Sequence, residues 1–118
     1  MNRYIILAVL SVLAFIVACT SDSEDPIPCD TSGITYTNEI AAIFNSSCAN
    51  SSACHNANAS STFSLANYAN VESEIPNNRI SGSINHRSGF DAMPKGASKL
   101  NDCTISKIDQ WLADGAPE

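Results

Sequence analysis

The hydrophobic positions recur at helical spacing in two well-separated segments of the chain. In the first, apolar side chains stand at i, i+3 and i+4 and predict a helix over residues 38–46 with Thr37 as its N-cap: Ile40, Ile43 and Phe44. In the second, Asn101 is the expected N-cap, Trp111 lies beside the stripe and Gly115 ends the helix, whose apolar positions are Ile105, Ile108 and Leu112. No segment alternates as a strand does, so the expected fold class is all-α.

Between these two helices the pattern is weaker. A second short helix is expected where a few larger side chains precede Pro76: Leu65, Tyr68 and Val71. Glycine and proline interrupt residues 76–100, which predicts a long ordered loop with one turn of helix near residues 80–84. The domain is therefore expected to be small and loop-rich.

The first 18 residues follow a different pattern. A short stretch with the single cation Arg3 precedes an apolar run that is typical of a signal peptide, too short and wrongly flanked for a membrane span. The run ends in Ile-Val-Ala-Cys, which resembles a bacterial lipobox, so Cys19 is expected to be lipidated and to become the new N-terminus. The alternatives are an ordinary cleaved signal with a chance cysteine, or an uncleaved anchor.

Composition divides residues 19–118, the part expected to be exported, into two regions. Residues 19–33 are acidic, contain proline and have almost no large apolar side chains, so we expect a flexible tether followed by a folded domain over residues 34–118. Removal of residues 1–18 takes away one of the six cations and leaves five against twelve acids, a net charge of −7. This acidic balance argues against nucleic acid as a partner.

The exported part is also poor in material for a core. Of its 100 residues, 20 are large apolar or aromatic, and a domain of this size with so few needs a disulfide, a metal or another staple. Four cysteines remain when Cys19 is set aside, and export places them in an oxidising compartment where paired use is expected.

The candidate chemistry is concentrated between Cys48 and His55, where the chain reads Cys-Ala-Asn-Ser-Ser-Ala-Cys-His. A cysteine directly before a histidine, here Cys54, with a second cysteine shortly upstream, is the arrangement for covalent haem attachment. The two thiols add to the haem vinyl groups and the histidine becomes the proximal iron ligand. Five residues rather than two separate the cysteines, so the extra residues are expected to bulge outward. The alternative is a Cys48–Cys54 disulfide with His55 as an ordinary surface histidine.

A candidate for the opposite face of the iron is Met93, which precedes proline in a glycine-flanked loop. A thioether is a suitable sixth ligand and raises the reduction potential relative to a second histidine. His86 is the alternative distal ligand. Met93 is preferred because His86 lies in a polar Asn-His-Arg stretch.

These features together resemble the small cytochrome c domains of bacterial exported lipoproteins. The resemblance covers about residues 34–117 and is most specific in the closing portion, which reads Met-Pro-Lys-Gly, Lys-Leu and Ile-x-x-Ile-x-x-Trp-Leu-x-x-Gly-Ala-Pro. The long spacing between the two cysteines of the attachment segment departs from the common family motif.

The resemblance implies a cytochrome c-like fold in which the N- and C-terminal helices pack together around one haem c, with Trp111 near a haem edge. If the two helices pack, the remaining cysteines, Cys29 and Cys103, are expected to form a disulfide that closes a loop of about 75 residues and stabilises the fold by about 3–5 kcal/mol.

With His55 and Met93 on the iron, no coordination position is left for a substrate. The expected function is therefore electron transfer rather than catalysis, in a protein held by lipidated Cys19 at the bacterial membrane, periplasmic or cell-surface. Its partners are expected to be positively charged redox proteins. The alternative is a non-haem binding or structural lipoprotein module held by disulfides. A third hypothesis, a peroxidase-like enzyme, requires that Met93 leave the iron open.

Overall fold

The structure, a computed structural model, describes residues 28–58 and 63–118. The predicted signal peptide, Cys19 and the tether up to residue 27 lie outside the described residues. Within the described ranges the chain forms helices and no strand, which confirms the all-α class. No helix in these ranges has the length and apolar character that are needed to cross a bilayer.

The first helix begins earlier than the sequence predicts. A π-helical turn over Tyr36–Ile40 continues into α1, Ala41–Ser47. Its N-cap is Thr35 instead of the predicted Thr37: the Thr35 hydroxyl accepts from the backbone N–H of Asn38 at 3.2 Å, and the Asn38 side chain accepts from the Thr35 N–H at 2.8 Å. This reciprocal capping box usually has Glu or Gln at its third position, so an asparagine there hides it from a sequence search.

Three short elements follow residues 48–55. Helix α2, Tyr68–Glu72, has Asn67 as its cap, and a 3₁₀ turn over Ile75–Asn77 leads into α3, Arg79–Ile84. The helix predicted before Pro76 and the helical turn predicted near residues 80–84 are both present.

The last helix, α4, is Asp102–Ala113, and it agrees with the prediction at both ends. The Asn101 side chain accepts from the N–H of Thr104 at 2.9 Å, as an N-cap does. Gly115 follows with a φ of +88°, the left-handed conformation that stops a helix and favours glycine.

The first and last helices contact each other, as the sequence predicts. Trp111 of α4 is fully buried and its ring lies 6.3 Å from that of Phe44 on α1, nearly perpendicular at 84°. On the outer side of the same contact, Lys107 forms an ion pair with Glu39. The remaining large side chains with no exposed surface complete this core: Ile40, Val71 and Ile108.

The C-terminal residues join this core through their carbonyl groups. The Pro117 carbonyl accepts from the backbone N–H of Tyr36 at 2.8 Å and from the indole N–H of Trp111 at 2.9 Å. The neighbouring Ala116 carbonyl accepts from the Tyr68 hydroxyl at 2.9 Å. Three helical segments are thereby tied to two consecutive residues at the end of the chain.

A disulfide between Cys29 and Cys103 links the predicted tether to the first turn of α4. The two cysteines are 74 positions apart in the sequence, and their Cα atoms are 5.5 Å apart. A cross-link of this loop length removes much of the conformational freedom of the unfolded chain. The tether is therefore held at Cys29, before the folded domain begins.

We predict that the paired substitution Cys29→Ser and Cys103→Ser lowers the free energy of unfolding by about 2–5 kcal/mol, because the unfolded chain regains the freedom of a long loop. The measurement is urea unfolding followed by the helical circular dichroism signal. Cys29→Ser alone should give the same loss, since either change removes the cross-link. Unchanged urea midpoints in both variants would contradict this role.

Candidate functional site

A cavity of about 340 Å³ is lined by α1, by α3, by described residues of the segment between α1 and α2, and by the loop that follows α3. This volume is within the range of small-molecule and cofactor sites. Its wall is largely aliphatic and aromatic, and it also includes three of the predicted site residues: Cys48, predicted to attach haem, and His55 and Met93, predicted to bind the iron. The lining residues that carry the argument below are Cys48, His55, Phe63, Arg79, Ser83 and Met93.

His55 is held in the cavity wall by hydrogen bonds to its backbone and its ring. The His55 N–H donates to the Cys48 carbonyl at 2.9 Å, and the His55 carbonyl accepts from the Leu65 N–H at 2.7 Å. The ring Nδ1 lies 3.0 Å from the Phe63 carbonyl oxygen. Because a carbonyl can only accept, Nδ1 carries the proton, and Nε2 keeps the lone pair with which a neutral imidazole binds a metal.

The His55 ring is the first of three stacked side chains: Phe63 stacks on His55, and Arg79 lies over Phe63. The Phe63 ring lies 4.5 Å from the His55 ring, tilted by 29°, and the Arg79 guanidinium lies 5.3 Å from the centre of the Phe63 ring. Arg79 also pairs with Glu74 at 3.2 Å. The sequence prediction missed both Phe63 and Arg79. Phe63 had a weak signal, as the one aromatic residue between His55 and the next helix.

Residues 48–55 form a compact turn that is closed by the hydrogen bond between the His55 N–H and the Cys48 carbonyl. Residues 50–53 are exposed, so the extra residues between the cysteines bulge outward. Both Cys48 and Cys54 are thiols in the structure. Cys48 lines the cavity; Cys54 does not, and its sulfur accepts a hydrogen bond from the Ser51 hydroxyl at 3.1 Å.

Burial changes the chemistry of the Cys48 thiol. Desolvation raises the pKa of this thiol from 9.0 to about 11, and the neighbouring Cys54 adds to the increase. At neutral pH Cys48 is therefore a protonated thiol, which is a weak nucleophile.

Met93 lines the cavity from the loop that follows α3. Its N–H donates to the Ser83 carbonyl at 3.1 Å, and its own carbonyl accepts from Nε2 of His86 at 3.0 Å. His86 is exposed and is not part of the cavity wall. Of the two distal ligands that the sequence suggests, the structure brings Met93 to the cavity and uses the His86 ring to hold the Met93 backbone.

The entrance of the cavity is shaped by Phe90, which packs on α3. A Cβ atom at Gly82 would lie 2.5 Å from the Phe90 ring, so this close approach requires glycine. Phe90 remains 37% exposed and lines the cavity. Trp111, which the resemblance implies to lie near a haem edge, does not line the cavity but contacts Phe44, which does.

Comparison with known proteins adds no assignment: no protein-family model, curated protein or solved structure matches this chain. Within residues 28–58 and 63–118 no group of three or more His, Cys, Asp and Glu side chains is arranged to hold a metal ion. A haem iron takes four ligands from the porphyrin and one or two from the protein, so a haem site requires no such group.

We predict that, in folded haem-free chain, alkylation of Cys48 by iodoacetamide rises with pH to a midpoint near 11. At pH 8 this leaves about 100-fold less thiolate than an unperturbed thiol has. Peptide mass mapping isolates the Cys48 adduct, and the same chain in urea is the control, with an expected midpoint near 9.0. A midpoint near 9.0 in the folded chain would contradict the burial of this sulfur.

The raised pKa of Cys48 also determines how the free energy of unfolding changes with pH. Because the folded-state pKa is the higher one, the contribution of Cys48 is fully present below pH 9.0 and is lost as the pH rises through about 11. Cys48→Ser should therefore flatten the loss of stability between these two pH values in haem-free chain, measured by urea unfolding. If both proteins lose the same stability over this pH range, groups other than Cys48 cause the loss.

Proposed function

We propose that this chain is an electron-transfer protein with one covalently bound haem c, His55 and Met93 being the axial ligands of the iron. The observation that carries the proposal is that one cavity of about 340 Å³ receives Cys48, His55 and Met93, residues that lie up to 45 positions apart in the sequence.

The donor set suits a haem iron. His55 presents Nε2 as its unprotonated nitrogen because the Phe63 carbonyl holds the proton on Nδ1. Met93 offers a thioether, a soft neutral ligand that favours the reduced iron relative to a second histidine. Bound haem supplies a one-electron couple, and with both axial positions filled by the protein no site remains for a substrate.

The rest of the wall suits a flat apolar macrocycle with carboxylates at one edge. Aliphatic and aromatic side chains give the apolar contacts, and α3 and α1 supply most of them: Phe44, Leu65, Ile80 and Ile84. Arg79 is the cation of the wall; its side chain is half-exposed, and its pairing with Glu74 through one nitrogen leaves donors for a haem propionate.

Covalent attachment uses Cys48 from inside the wall and Cys54 from its rim. Cys54 precedes His55 directly, but its sulfur contacts Ser51 outside the wall. The second thioether therefore requires the exposed segment 50–53 to move so that Cys54 turns toward the cavity. A segment of small polar residues with exposed side chains can rearrange at low cost.

The setting of the proposed cytochrome is the bacterial cell envelope. Lipidation of Cys19 would anchor the exported chain, and the tether would separate the lipid from the domain. The net charge of −7 beyond residue 18 favours cationic redox partners, and their association should weaken as salt concentration rises.

The test is to produce the full chain in a bacterium with a c-type cytochrome maturation system and to extract it with acid and organic solvent. Haem that stays with the polypeptide supports the proposal, because only thioether bonds survive the extraction. A colourless protein would contradict it and would favour the disulfide-held lipoprotein module.

Substitutions at the proposed axial residues then test which side chains bind the iron. We predict that Met93→Ala changes the reduced absorption spectrum and lowers the reduction potential, because the thioether ligand is lost. His55→Ala should leave the iron without its proximal ligand, whereas His86→Ala removes only the hydrogen bond to the Met93 carbonyl and should keep both haem ligands. A normal spectrum for Met93→Ala together with an altered one for His86→Ala would transfer the distal role to His86.

A further inference from the structure

Ser83 is the one polar residue among the buried side chains of the described ranges, with 8% of its surface exposed. Its hydroxyl forms no hydrogen bond to any residue that the structure describes, although a buried hydroxyl without a partner is costly. In the described part no side-chain oxygen or nitrogen is both sealed from solvent and without a partner, so the Ser83 hydroxyl keeps some accessible surface. Ser83 is also one of the residues that line the cavity.

The neighbouring serine of the same helix shows the contrast. Ser81 lies on the opposite side of α3, and its hydroxyl donates to the Asp109 carboxylate at 2.7 Å. Ser83 lies on the cavity side with Ile80 and Ile84, the spacing that brings residues to one helix face. Helix α3 therefore has one serine whose hydroxyl has a side-chain partner and one serine that belongs to the cavity wall.

The backbone places Met93 next to Ser83. The Ser83 carbonyl accepts from the Met93 N–H at 3.1 Å and from the His86 N–H at 3.2 Å, and the side chains of Ser83 and Met93 both line the cavity. A direct backbone hydrogen bond thus holds Met93, a cavity-lining residue whose sulfur can accept a hydrogen bond, close to Ser83. A thioether sulfur keeps a second lone pair when it gives the first to a metal, and that pair accepts a hydrogen bond.

We propose that Ser83 is a positioning residue for Met93, and that its hydroxyl donates a hydrogen bond to the thioether sulfur when that sulfur is an iron ligand. This inference rests on the proposed haem function. The hydrogen bond draws electron density away from the sulfur, which makes it a weaker donor to ferric iron and raises the reduction potential.

The experiment compares haem-loaded wild type, Ser83→Ala and Ser81→Ala. Loss of a hydrogen bond in Ser83→Ala should lower the reduction potential, so that the ferrous-to-ferric ratio at a fixed ambient potential falls about 2- to 10-fold. The ferric methionine-to-iron charge-transfer band should shift but persist, since Met93 stays bound. Ser81→Ala should leave both the potential and the band at wild-type values.

A matched pair, Ser83→Thr and Ser83→Val, separates the hydroxyl from packing because the two side chains have nearly the same shape. Thr should restore the wild-type potential and Val should reproduce the alanine value, and this pair decides the matter if Ser83→Ala fails to accumulate. Equal potentials for Thr and Val, or an equal shift in Ser81→Ala, would overturn the role of Ser83 and leave the haem function standing. Wild-type protein without haem would overturn both.

Discussion

The contact between Phe44 and Trp111 determines where the rest of the domain can lie. Both side chains have almost no exposed surface, and their perpendicular rings join the first helix to the last. The Trp111 indole N–H is bound to the Pro117 carbonyl, which fixes the end of the chain, while the other face of Phe44 forms part of the cavity wall. One aromatic pair therefore connects the best-packed region of the molecule to its candidate site.

The cavity wall depends on a few hydrogen bonds between segments that have little packing of their own. The Leu65 N–H is bound to the His55 carbonyl, and the Met93 N–H is bound to the Ser83 carbonyl. With 20 large apolar side chains in the 100 residues beyond residue 18, the domain has a thin core, and a flat apolar occupant of the cavity would add contacts that its own side chains do not supply. The buried Cys48 thiol, the His55 ring and the Arg79 guanidinium are polar groups of the wall that such an occupant would engage.

The elements with clear periodicity were predictable, and the parts of the site that depend on tertiary contacts were not. The last helix has a cap, a stripe and a terminator in its own sequence, and its predicted ends agree with the structure. The start of the first helix was displaced because Asn38, an unusual residue for the third position of a capping box, selects Thr35. Arg79 and Ser83 carried no local signal, since their place in the wall follows from how α3 packs. The sequence favoured Met93 over His86 as the distal ligand, and of the two residues the structure brings Met93 to the cavity.

The most direct test of the account is the intact mass of the protein after native export, measured under denaturing conditions and followed by mapping of the peptide over residues 48–55. The account predicts one haem added to the polypeptide, retained on that peptide through Cys48 and Cys54. A mature chain whose mass contains no haem, but which unfolds cooperatively in urea, would contradict the claim that the cavity is built for an iron porphyrin.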